Sequence, residues 1–109
     1  MEDCLFCKFA TQSIPKDFIY EDDDIMVFPD IHPIKPTHLL IVPKKHIHAF
    51  EDLEDDMLLG KIRKVIQNMA KKQGLQGKGY RIIINAGGAQ GIDHLHFHLT
   101  GPWGLKADW

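Results

Sequence analysis

Residues His94-Leu95-His96-Phe97-His98-Leu99-Thr100 place three of the chain's seven histidines at alternate positions, with an apolar residue between each pair. A β-strand sends successive side chains to opposite faces, so His94, His96 and His98 are expected along one face. Leu95, Phe97 and Leu99 then line the other face, where they pack into a core. Three imidazoles in register suit work at neutral pH: binding a metal, attacking phosphorus or moving protons. A strand side that merely faced solvent would be served as well by Thr, Lys or Glu.

At 109 residues the chain is long enough for one hydrophobic core but not two, and a single domain over 1–109 is expected. Hydrophobic residues make up 44% and charged residues 26%, the balance of a soluble globular protein. Thirteen basic against 15 acidic residues give a formal net charge of -2, which removes the main electrostatic argument for a nucleic-acid binder. A small anionic ligand held by a local site remains open. No apolar run reaches the roughly 18–20 residues that cross a bilayer. The acidic start Met1-Glu2-Asp3-Cys4 lacks the basic and apolar regions of a signal peptide, so a cytoplasmic location is expected. Cys4 and Cys7 are the only cysteines; in a reducing compartment they are read as metal ligands, redox thiols or buried side chains.

Cys4 to Thr11 reads as one or two helical turns, broken by Ile14-Pro15. Phe18–Glu21 and Ile25–Phe28 read as a hairpin around Asp22-Asp23-Asp24. An extended loop from Pro29 to Thr37 leads to a strand over His38–Val42, closed by Pro43. Glu51–Gln73 is the one long helix, with apolar residues three or four apart, acids in its first turns, Lys71 and Lys72 in its last, and Gly74 as its stop. Tyr80–Asn85 is a further strand, and a loop carrying Gly87, Gly88 and Gly91 leads into the histidine strand. The order β-β-β-α-β-β after a short helix predicts an α+β domain with an antiparallel or mixed sheet.

The stretch Ala89-Gln90-Gly91-Ile92-Asp93-His94-Leu95-His96-Phe97-His98-Leu99 resembles the signature of the histidine triad family, His-φ-His-φ-His-φ-φ with φ apolar, with Thr100 at the last φ. Cys4-Leu5-Phe6-Cys7-Lys8, Tyr20-Glu21-Asp22-Asp23, Phe28-Pro29-Asp30-Ile31, Pro36-Thr37-His38, Ile41–Ile47 and Gly79-Tyr80-Arg81 also occur in family members in this order. The resemblance spans nearly the whole chain and is nearest to the Hint-like branch. It implies a five-stranded, mainly antiparallel sheet with one long helix and a short N-terminal one. It also implies a homodimer and hydrolysis of purine nucleoside phosphoramidates.

By that resemblance His96 attacks the α-phosphate and forms a nucleotidyl-histidine, while His98 donates to the phosphoryl or leaving-group atom. His94 completes the row. Asp30 corresponds to the acid that accepts from the ribose hydroxyls, Phe28 and Ile31 border the base, and Asn85 lies on the phosphate side. Gln90 and Gly91 fall with His98 among the nucleotide-binding residues, in a glycine-rich loop that lets backbone approach phosphate oxygens. Gly91 stands where many relatives have Ser, and the loop from Asn85 to His94 is somewhat shorter. Family members with the paired cysteines bind zinc, which maps the ligands onto Cys4, Cys7, His46 and His94. His32 and His48 read as solvated loop residues and His38 as structural.

Two rival functions stand beside the phosphoramidase: a related enzyme that cleaves dinucleoside polyphosphates, and a non-catalytic nucleotide-binding protein. The Gly-Pro tail favours the phosphoramidase over the first, and an intact histidine row argues against the second. Tyr80–Asn85 and the C-terminal half of the long helix are the expected dimer surfaces. The segment Gly101–Trp109, with Trp103 and Trp109, is expected to border the active site.

Overall fold

The structure is a computed structural model and describes residues 3–106. Strands β1 (Tyr20–Glu21), β2 (Ile25–Pro29), β3 (Thr37–Pro43), β4 (Arg81–Ile83) and β5 (Phe97–Gly101) form one antiparallel sheet in the order β1-β2-β3-β5-β4. A short helix, α1 (Leu5–Ala10), and a long one, α2 (Asp56–Lys72), accompany it, completing the expected α+β architecture. Among the described residues no helix is long and apolar enough to cross a membrane.

Alternation along the central strands divides two apolar clusters between the sheet faces. Ile25, Val27, Leu39, Ile41, Leu95, Phe97 and Leu99 pack with Leu58, Ile62, Val65, Ile66 and Met69 of α2. Their neighbours Met26, Phe28, Leu40 and Val42 pack instead with Phe6 and Phe9 of α1. Covered on both sides, β2 and the stretch 39–43 of β3 are continuous apolar runs. The face under α1 is the one that carries the histidines.

Several boundaries differ from the sequence expectation. The helix expected from Glu51 begins at Asp56, after a separate 3-10 turn at Phe50–Asp52. Asp55 is the cap: its Oδ1 accepts from Leu58 N–H at 3.0 Å, which fixes the start five residues late. At the other end Gly74 takes φ +69°, and Leu75 N–H reaches Ala70 O, as a helix stop requires. The strand expected over Tyr80–Asn85 is paired only from Arg81 to Ile83, and that expected over Phe18–Glu21 only from Tyr20. His94 and His96 precede the β5 ladder, which starts at Phe97 opposite Ile41. Leu95 N–H still bonds Ile47 O at 2.7 Å, so the approach to β5 stays extended enough to keep the alternation.

The tail after β5 is tied back to the loop before β4. Trp103 N–H donates to Gly79 O and Gly104 N–H to Lys78 O. A Cβ on Gly79, at φ +78°, would stand 1.8 Å from Gly104 O, so this crossing requires glycine.

Candidate active site

Two side-chain clusters lie along the histidine face, one at each end of the His94-His96-His98 row. At the first, His94 is fully buried and its Nε2–H donates to Pro43 O at 2.7 Å. A carbonyl only accepts, so Nδ1 carries the lone pair. That Nδ1 lies 3.2 Å from Cys4 Sγ and 3.5 Å from Cys7 Sγ, and His46 Nδ1 lies 3.2 Å from Cys7 Sγ. All four ligand atoms lie within 4.8 Å of one another. A tetrahedral zinc bound at about 2.0–2.3 Å has edges of roughly 3.3–3.8 Å, so these residues fit such an ion closely. Burial holds the His94 imidazole down at about 4 and, with Cys4 alongside, pushes the Cys7 thiol up to about 11. Cys4 also caps α1, its Sγ accepting from Cys7 N–H.

The second cluster is a chain of hydrogen bonds. Ile34 N–H donates to His38 Nδ1 at 3.2 Å, which leaves the proton of the neutral ring on Nε2. His38 Nε2–H then donates to His98 Nδ1 at 2.9 Å, with Asp30 Oδ2 beside it at 3.4 Å. His98 therefore keeps its proton on Nε2. That atom is buried and has no partner among the described residues. Burial, with His96 and His38 nearby, lowers the His98 pKa to about 4, so its free N–H is that of a neutral ring.

His96 sits between the clusters. Its Nδ1–H donates to His94 O at 2.7 Å, which leaves the lone pair on Nε2. Its ring stands 5.0 Å from that of His98 and 5.3 Å from that of Phe6. The site thus offers a bare imidazole nitrogen next to an unused N–H donor, a pair suited to attack and stabilisation at one electrophilic centre.

The remaining expected residues are distributed unevenly. Phe28 is buried among Phe6, Phe9 and Phe18 on this face. Asp30 closes the His38–His98 chain and accepts from His32 N–H through Oδ1. Ile31 projects into solvent with 77% exposure, and Asn85 is exposed. Gln90 turns into its own loop, accepting from Gly88 N–H and donating to His48 O. Gly91 lines a cavity of about 540 Å³ together with Cys4 and His46, on the side of the first cluster. His32 and His48 are exposed loop residues.

His38, read from sequence as structural, is joined directly to His98. Nothing local marks it; its role depends on the register that sets His38 opposite Thr100 and Leu40 opposite His98. Trp103 also lies at this end: its Nε1–H donates to Thr100 Oγ1, and its ring carries Lys35 Nζ at 4.2 Å and the Arg81 guanidinium at 3.9 Å. Trp109 lies outside the described residues.

Residues 3–104 match the family model described as "Scavenger mRNA decapping enzyme C-term binding". A crystal structure of a HIT family hydrolase from Legionella pneumophila Philadelphia 1 is 43% identical, with a TM-score of 0.87, covering 98% of this chain and 97% of that one. A histidine triad protein from Clostridium difficile is 39% identical, with a TM-score of 0.88 and coverage of 100% and 98%. Protein HitA of Neisseria gonorrhoeae is 40% identical over 105 residues, 93% of this chain and 97% of its own. Likeness over almost the full length, in sequence and in fold, makes this chain a member of the histidine triad family.

Proposed function

We propose that the protein is a nucleotide hydrolase that cleaves purine nucleoside 5'-phosphoramidates through a covalent intermediate on His96. The observation that carries this reading is the pairing of two neighbouring rings: His96, with the lone pair on Nε2, and His98, whose Nε2–H has no partner among the described residues. The Legionella relative described as a hydrolase, and a Candida albicans relative described as a histidine triad nucleotide-binding protein (33% identical, TM-score 0.82), support the same class.

In the first step His96 Nε2 forms a bond to the α-phosphorus and the P–N bond breaks. The nitrogen takes a proton from solvent and departs as an amine, while the His98 Nε2–H donates a hydrogen bond to a phosphoryl oxygen and stabilises the charge that builds there. In the second step water attacks phosphorus, the histidine–phosphorus bond breaks, and a proton is returned to solvent. His38 keeps Nδ1 of His98 occupied, so the His98 proton stays on the atom that faces the substrate. Asp30 accepts from the ribose, Ile31 borders the base over the buried Phe28, and Asn85 with the glycine loop that Gln90 braces bounds the phosphate side.

The test is to mix the protein with a nucleoside phosphoramidate, quench in base, and locate the adduct by peptide mass spectrometry. A nucleotidyl group on His96 is expected; turnover without any adduct on His96 overturns the reading.

Cys4, Cys7, His46 and His94 are proposed to hold one Zn²⁺, which would neutralise the two thiolates and tie the N-terminal segment to the sheet. A homodimer is proposed through the open edge of β4, where Tyr80 and Ile82 are exposed, with the C-terminal half of α2. Sedimentation at micromolar concentration checks the dimer, and metal analysis checks the zinc.

A further inference from the structure

We infer that Phe6 is a positioning residue for His96, and that the metal centre keeps it in place. Cys4 and Cys7 then act on the nucleophile through the ring that stands between them in the chain. The inference rests on the reading of His96 as the attacking group and of the four-residue cluster as a metal site.

Phe6 is 3% exposed, and its ring meets two triad imidazoles edge to face: His96 at 5.3 Å and 89°, and His94 at 5.7 Å and 74°. The hydrogen bond from His96 Nδ1 to His94 O selects a tautomer and pins one corner of the ring. The torsion between Cβ and the ring is broad, so one pinned corner leaves room for the other to swing. Phe6 and His98, both in ring contact with His96, limit that swing. Because a displacement of about 1 Å in a reacting group costs as much as ~10²-fold, even a modest loosening of His96 lowers the rate.

Phe6 in turn stands on a helix of six residues, too short to hold itself. Phe9 and Phe28 brace it from the apolar side. Cys4 and Cys7 flank it in sequence and face His94 and His46 across the cluster. A metal ion shared by these four residues fixes both ends of the turn that carries Phe6. It also fixes His94, whose carbonyl pins His96.

The experiment compares Phe6→Leu with Phe18→Leu, which removes a ring from the rim of the same apolar cluster that packs on Phe28 and, among the described residues, has no ring contact with Phe6 or His96; Phe6→Met is a second variant should the first fold poorly. In Phe6→Leu, kcat is expected to fall about tenfold with KM within about twofold, while one metal per chain is retained. The Nδ1–H resonance of His96 should broaden, and Phe18→Leu should leave it unchanged. Chelating the metal from the wild-type protein should broaden the same resonance, and chelation of Phe6→Leu should add little, since both act through one contact. An unchanged resonance and rate in both Phe6 variants, or a rise in KM alone, overturns the positioning role. A chelation effect of full size in Phe6→Leu overturns the link to the metal. Adduct formation keeps the two readings apart: if the wild-type protein forms none on His96 the proposed function falls, whereas equal rates in wild type and Phe6→Leu sink only this inference.

Discussion

The two ends of the histidine row are built from the same side chain under the same conditions and do opposite things. His94 and His98 both lie on the face covered by α1, and burial lowers the pKa of each to about 4. At His94, Nε2 is turned away to Pro43 O and the bare Nδ1 joins three other ligand atoms around one point. At His98, Nδ1 is occupied by His38 and the protonated Nε2 is left open. Asp30, His38 and His98 are also close enough to be counted as ligands, but their contacts run in series and account for one another without an ion. What an imidazole does here is decided by the partner of its other nitrogen.

The hardest blow to this contrast falls between the ends. His96→Ala should lower turnover by at least about 10³-fold while nucleotide binding remains measurable by calorimetry, because only the covalent step is lost. Near-normal turnover would break the comparison at its centre. At the open end, His98→Ala should cost about 10²–10³-fold in kcat and His38→Ala about tenfold, with KM changed little in both. A larger loss for His38 than for His98 would mean that His38 acts on the substrate itself. At the closed end, Cys7→Ser should abolish stoichiometric metal and lower Tm by about 10 °C or more, with a smaller effect on turnover than His98→Ala.

The smallest effect is on stability against pH. His98 faces His96, His38 and Asp30, and its folded pKa of about 4 lies below the ordinary 6.5. Between those values the unfolded chain binds more protons at this site, so its contribution is present above pH 6.5 and is lost as pH falls towards 4. His98→Gln should therefore flatten the fall of Tm from pH 6.5 to 4; an equal slope in both proteins would show that His98 is not the buried neutral group described.

The division of faces was legible because a period of two needs no knowledge of the partner strand: Leu95, Phe97 and Leu99 went to the α2 side as expected. The start of α2 was not, since Glu51, Asp52, Glu54 and Asp55 are all acids able to open a helix and only packing selects Asp55. His38 stayed hidden for a related reason. Its function depends on β5 lying beside β3, and local patterns carry no record of which strands become neighbours. The gathering of Cys4, Cys7, His46 and His94 was anticipated only through family resemblance, because ninety residues separate the most distant pair.

β5 is inserted between β3 and β4, yet it follows both along the chain. During synthesis its two neighbours emerge first and have no direct pairing to make with each other. Until β5 pairs, the sheet lacks the strand between β3 and β4, and the strand that fills that place brings His98 with it, His94 and His96 just ahead. Closure of the sheet and assembly of the reactive site are one event. The cost is a long-range pairing of β5 with β3 that must be found before either exists.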